Sequence, residues 1–196
     1  MVPFFPTPLH DELLYSVICR YSDRRKLSHS QVVNSLMGKR NLPFAFNFPT
    51  GIDRILSVIP NGHSFTSDQF IDRHTLLPFY SPFIAANKVD EIRHLMKAGA
   101  STAISAKIGI NASRKRIQKN TRLRYCPLCA SHDAQSDHYY WHRIHQLPNI
   151  EVCPIHHVWL EDSDMEIAKT HRRFVSFEQD VNTIKTPRLI RACYGL

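Results

Sequence analysis

The stretch Tyr125-Cys126-Pro127-Leu128-Cys129, continued after 23 residues (130 to 152) by Cys153-Pro154-Ile155-His156-His157-Val158-Trp159-Leu160, decides the reading of this chain. Two thiols two residues apart, then a thiol and an imidazole two residues apart, supply the four corners of one tetrahedral Zn2+ site with no vertex left for water. A closed site of that kind is structural. Cys126, Cys129, Cys153 and His156 are therefore the expected ligands. The spacing Cys153-x-x-x-His157 is also an allowed one, so His157 competes with His156. Pro127 and Pro154 follow the first ligand of each pair, where a preset φ suits a tight turn. The other nearby histidines, His132, His138, His142 and His145, read as surface groups or as neighbours of the ligands.

Upstream of the metal pattern, no acidic residue occurs between Glu91 and Asp133. Arg114, Lys115, Arg116, Lys119, Arg122 and Arg124 lead directly into Cys126. A charge run is usually a solvated face, but an ordered metal module at its end would hold these cations beside a phosphate backbone. They are the expected contacts to double-stranded DNA. The whole chain agrees in sign, with 25 basic and 17 acidic residues, a net charge of +8 and a pI near 9.4.

The chain has 196 residues, 43% of them hydrophobic and 21% charged, and no apolar run approaches a membrane span. The opening Met1-Val2-Pro3-Phe4-Phe5-Pro6 has no basic lead and is broken by prolines, so no signal peptide is expected, no membrane partner, and the expected location is the cytoplasm. Five cysteines fit that compartment. Three belong to the metal pattern, and Cys19 and Cys193 read as buried or spare thiols.

Helical periodicity dominates the first half. A helix is expected over about Leu9 to Arg24, on Leu14, Ile18 and Tyr21. Ser28-His29-Ser30-Gln31 is a capping box opening a second helix that runs to Gly38. Two short helices joined by a polar turn allow a helix-turn-helix unit, and equally a plain helical bundle. Phe44, Phe46 and Phe48 alternate, either as a stacking platform for bases or as anchors of a loop on the core. Thr50 is expected to cap a helix through Ile52 to Ile59, Thr66 another beginning at Ser67, and Asn87 a third from Lys88 to Ala98 with Gly99 as its stop. His74 to Phe83 is too proline-broken for a helix and too apolar for a free loop. A short helix over Thr102 to Lys107, strands within Asp137 to Pro148 and at Val158 to Leu160, and a polar, weakly patterned tail complete the reading. Phe174, Val175 and Phe177 are expected to add a short element, and the last residues to be mobile.

The fold class is thus mostly α with a small β zinc module. A helical domain containing the helix-turn-helix spans 1–110, the basic lead-in and zinc finger 111–165, and a C-terminal segment 166–196.

The motifs also carry a resemblance. Phe5-Pro6-x-Pro8 before Asp11-Glu12-Leu13-Leu14-Tyr15-Ser16, the segment His74 to Phe83, Arg124-Tyr125-Cys126-Pro127-x-Cys129, Trp141-His142-Arg143, Leu147-Pro148 and Cys153-Pro154-x-His156 resemble the TniQ/TnsD family of transposon target-selection proteins, over about residues 3 to 160. The resemblance implies a non-enzymatic adaptor with a helix-turn-helix region and a zinc finger. It implies that the adaptor links a chosen DNA target to an AAA+ ATPase regulator, which recruits the transposase. The target is chosen by a CRISPR effector with guide RNA in short members, and by an attachment site in members with a long C-terminal extension. With about 36 residues after Leu160, this sequence corresponds either to the short type or to part of a longer protein. Two other readings compete: a zinc-bearing transcription regulator, and a nuclease on a zinc framework using Asp137-His138. The nuclease needs an open metal position, and no second Asp/Glu cluster near the two turns supplies one.

Overall fold

The structure, a computed structural model, describes residues 1–38, 44–99, 104 and 121–189. Its helices are α1 (Leu14–Arg25), α2 (His29–Met37), α3 (Ile52–Val58), α4 (Ser67–His74), α5 (Leu77–Tyr80) and α6 (Ala86–Ala98). Strand β1 (Arg122–Tyr125) follows, then α7 (Pro127–Gln135), β2 (Glu161–Glu166), α8 (Ile167–Thr170) and α9 (Phe177–Asp180). The expected helix over Thr102 to Lys107 lies outside the described residues except for Ile104, and so does the chain end with Cys193.

Helix α1 is the axis. Every residue from Leu14 to Ser22 is buried, so the helix is enclosed on all sides rather than on one apolar face. Enclosure forces its polar groups to find partners: Tyr15 and Ser22 donate to the Arg173 and Leu27 carbonyls, and Glu12 serves Ser16 and Arg20. The Glu12 carboxylate, fully buried, accepts from Ser16 Oγ at 2.8 Å, from Arg20 Nε at 2.9 Å and Nη2 at 2.6 Å, and from the Leu9 amide at 3.0 Å. These bonds also explain why the helix begins at Leu14 and not at Leu9. Asp11 is in the left-handed region at φ 55°, Glu12 folds back on Leu9, and the Leu13 amide donates to the Trp141 carbonyl instead of to a helical turn.

The capping boxes at Ser28 and Thr66 form as expected, each with its glutamine reaching back, and α2 ends on Gly38 at φ 68°. Two other caps differ. Helix α3 is capped by Gly51, not Thr50, and α6 starts at Ala86 from Ala85, so Asn87 lies inside the helix. Gly51 is left-handed at φ 78°, and so is Gly99 at the end of α6, at φ 83°; a Cβ on Gly99 would come within 3.2 Å of Gly51 Cα. Backbone proximity between the two helix ends therefore sets this pair of residues, a constraint that side-chain capping rules do not contain.

The segment His74 to Phe83 forms helix after all. Pro78 opens α5 and Pro82 opens a 3-10 turn over Ser81–Phe83, each in a first turn where a missing N–H costs nothing. Phe44, Phe46 and Phe48 are 1%, 6% and 2% exposed, so they anchor the loop and present no stacking platform.

One large apolar core runs from Val2 to Phe177 and takes in α1 to α4, Ile92 and Met96 of α6, Leu123, Tyr125, Trp141 and Phe174 to Phe177. It crosses the expected boundaries near 110 and 165. A second, much smaller core holds Cys126, Cys129, Cys153, Val158 and Leu160. Strands β1 and β2 pair antiparallel, Arg124 opposite Asp162 and Tyr125 opposite Glu161, with an irregularity between Arg122 and Arg124. Among the described residues no helix is long and apolar enough to cross a membrane.

Candidate metal centre

The first ligand pair is built by a helix rather than by a free turn. β1 delivers Cys126 to the N-cap of α7, Pro127 occupies the first helical turn, and Cys129 follows one turn on, so both sulfurs face the same way. The Cys129 amide donates to Cys126 Sγ at 3.5 Å. The second pair sits on a hairpin-like turn: Val152 bridges Trp159, Cys153 N donates to the Val158 carbonyl at 2.8 Å, and the His157 amide donates back to the Cys153 carbonyl at 2.9 Å. That last bond places His157 in the left-handed region at φ 53°, exposed, and turns His156 inward.

The four ligand atoms of Cys126, Cys129, Cys153 and His156 lie within 4.8 Å of one another. His156 Nδ1 is 3.6, 3.2 and 3.8 Å from the sulfurs of Cys126, Cys129 and Cys153, and Cys129 Sγ is 3.8 Å from Cys153 Sγ. A tetrahedron with metal–sulfur bonds of about 2.3 Å has edges of about 3.7 Å, so this donor set fits a Zn2+ ion. The three cysteines are buried and His156 half-buried. Sulfur and imidazole ligands in this number suit zinc and disfavour magnesium or calcium. Among the described residues no other group of three or more His, Cys, Asp or Glu side chains converges in this way.

The electrostatics favour thiolate at Cys126 alone of the three. Hydrogen bonding from Cys129, through its thiol and backbone amide, holds the Cys126 thiol well below its ordinary pKa. The same bond, with burial, raises Cys129, and burial raises Cys153. Without a metal the three sulfurs cannot all ionise side by side; a dication removes that conflict.

The other histidines separate by environment. His132 and His138 are exposed, and His138 Nδ1 contacts only the neighbouring Asp137 carbonyl, in a turn after α7. His142 Nε2 is 2.8 Å from Asp133 Oδ2 on α7. His145 is fully buried on a 3-10 turn (Ile144–Gln146), its Nε2 3.7 Å from Cys129 Sγ, and burial pushes its pKa well below the ordinary value. The expected strand over Asp137 to Pro148 is replaced by a single bridge, Glu12 to His142, and by this 3-10 turn.

Of the basic residues, Arg114, Lys115, Arg116 and Lys119 lie outside the described residues. Arg122 donates to the Ser163 carbonyl at 3.0 Å and faces Asp164 at 3.5 Å, with 38% of its side chain exposed. Arg124 is turned inward: it is 7% exposed and donates to the Leu147 carbonyl at 2.7 Å, bracing β1 against the loop before the second ligand pair. The strand opposite them is acidic, Glu161-Asp-Ser-Asp-Met-Glu166, with Glu161 also paired to Arg188 and Lys185. A cleft of about 440 Å3 beside Thr121 is lined by Glu151, Glu161 and Asp162 as well as by Lys185 and Arg188, a mixed lining that does not suit a phosphate channel.

The chain is thus a mostly helical protein with a Cys3His cluster that could hold a metal ion. It belongs to the TniQ family, whose model matches residues 3–160. The transposon Tn7 transposition protein TnsD of Escherichia coli is 31% identical to it over 156 residues, a stretch covering 78% of this chain and 30% of that protein. The chain thus spans less than a third of the length of that relative.

Proposed function

We infer that this chain is a target-selection adaptor in DNA transposition, holding one Zn2+ at Cys126, Cys129, Cys153 and His156 as a structural ion. The observation that carries the reading is the match to the TniQ family across residues 3–160, which includes the whole ligand set. The similarity to a protein named for transposition supports the same process. Bound zinc would cross-link α7 to the turn at Cys153 and offer no open position for hydrolysis, in keeping with a non-enzymatic role.

In this reading Arg114, Lys115, Arg116, Lys119 and Arg122 meet the phosphate backbone of double-stranded DNA, and Arg124 braces their base. Helices α1 and α2 act as the helix-turn-helix, with Ser30 and Asn34 on the exposed side of α2. The partner that reads the assembled target is an AAA+ ATPase regulator, and the target is presented by a CRISPR effector with guide RNA or by an attachment site.

The test is co-purification on DNA with an AAA+ transposition regulator, with and without ATP and a CRISPR effector. An ATP-dependent ternary complex is expected. Absence of any complex with both partners, alongside tight binding to a palindrome by a dimer, would transfer the reading to a transcription regulator. Replacing Arg114, Lys115 and Arg116 together by Ala should lower the salt slope of DNA binding by about 3. An unchanged slope would take this stretch out of the interface.

A further inference from the structure

Beside the four ligands lies a histidine that the metal set does not use. His145 has no exposed surface. Its ring is set from β1: the Gln146 amide donates to the Arg124 carbonyl at 2.7 Å and its oxygen accepts from the Arg124 amide at 3.0 Å, so the 3-10 turn carrying His145 is tied to the strand that ends at Cys126. His142 closes the other side, its ring 4.9 Å from that of His145 and itself held by Asp133 of α7. The ring is thus flanked by the Gln146–Arg124 tie on one side and by His142 on the other.

We propose that His145 is a positioning residue for the metal centre, donating its Nε2–H to the Cys129 sulfur and thereby stabilising a thiolate-rich site. The inference rests on zinc being bound at the four ligands. Two observations fix the direction of the bond. Nε2 is 3.7 Å from Cys129 Sγ, while Nδ1 is buried with no hydrogen-bond partner among the described residues. A proton on Nδ1 would leave a buried N–H without an acceptor and aim a lone pair at a sulfur that carries negative charge. A proton on Nε2 satisfies the donor and leaves Nδ1 as a bare acceptor, the less costly orphan.

The chemistry of the donor set gives the bond its purpose. Three thiolates and one neutral imidazole around a dication carry a net charge of −1, enclosed here by Val158 and Leu160. A buried excess charge needs donors, and hydrogen bonds to ligating sulfur spread it and hold the ligand in place. The Cys129 backbone amide serves Cys126; His145 serves Cys129.

Four measurements on the full chain test this. Metal content of the unaltered protein comes first: one zinc per chain is expected, and none would remove the metal reading and this inference with it. Long-range 1H–15N correlation on the same zinc-loaded protein then reads the tautomer of His145. The Nε2–H form is expected, and the Nδ1–H form would overturn the inference while leaving the zinc site standing. Finally, zinc transfer to a chromogenic chelator should be about 10- to 100-fold faster in His145→Phe, with His145→Gln, which keeps an N–H donor, in between. The charge-transfer band of the Co2+-substituted His145→Phe protein should shift while its tetrahedral d–d bands persist. Release and spectra matching the unaltered protein would show that the bond has no part in holding the metal.

Discussion

The helical body and the metal module reach order by different means. Around α1 the core is extensive and apolar, with Leu13, Leu14, Val17, Ile18, Phe70, Ile71 and Trp141 all at most 1% exposed. Two of its polar intruders, Ser16 and Arg20, are gathered by Glu12. Around the ligands, among the described residues, the buried Val158 and Leu160 and the half-buried Leu128 and Ile150 join the three cysteines. Burial at about 25 cal/mol per Å2 can hold the first region, whereas so small a cluster cannot hold the second. The two meet along β1, where Tyr125 of the large core directly precedes Cys126 of the small one, and again over residues 141 to 145. Trp141 enters the large core, donating from Nε1 to the Val175 carbonyl at 3.1 Å, and four residues later His145 faces Cys129. Metal and apolar core are thus different foundations under a shared connection.

The largest effect should come from the metal side. Cys126→Ser or Cys153→Ser removes a ligand from a site whose apparent binding energy is about 10 to 16 kcal/mol. Loss of stoichiometric zinc and of order in 126–129 and 150–160 is expected, while the far-UV circular dichroism of the helices largely survives. Retention of one zinc and an unchanged melt in either variant would break the ligand assignment. On the other side of the comparison, Glu12→Ala leaves Arg20 in the interior without its partner, and a loss of about 3 to 5 kcal/mol is expected in denaturant unfolding, with zinc content unchanged. Trp141→Ala removes the docking side chain and should cost a similar amount, about 3 to 5 kcal/mol, but should disturb both regions. Equal losses of zinc and of helical stability in that variant would sharpen the view of residues 141 to 145 as a connection.

A smaller effect concerns pH. Burial lowers the pKa of His74 below its ordinary 6.5, and its Nδ1 lies 2.6 Å from the Glu12 carbonyl. The unfolded chain therefore binds this proton more readily than the folded one. The contribution is fully present above about pH 6.5 and is lost as pH falls from there through the folded-state value. Stability in the helical body should fall as the pH drops below about 6.5, and His74→Gln should flatten that fall.

Local signals in the chain were readable where local chemistry decides. Ser28 with Gln31 and Thr66 with Gln69 form the caps their spacing predicts, and Gly38 and Gly99 end their helices. The four ligands named from spacing are the four that converge. What escaped depends on distant partners. Strand β2 reads as a polar tail, yet Glu161, Ser163 and Met165 alternate inward because β1 and Arg188 receive them. Glu12 looks like a surface residue of an amphipathic helix until Arg20, Ser16 and Leu9 are seen around it. Arg124 reads as one more cation of a DNA-facing run, and the Leu147 carbonyl turns it inward. His145 stands among several histidines with no periodic mark to single it out.

The most direct test of two foundations is hydrogen exchange across the chain before and after zinc is withdrawn by a strong chelator. Protection should be lost in 126–129 and 150–160 and kept in α1 through α4. Full protection of 126–129 and 150–160 in metal-free protein would contradict the account, because those residues would then be held by something other than the ion.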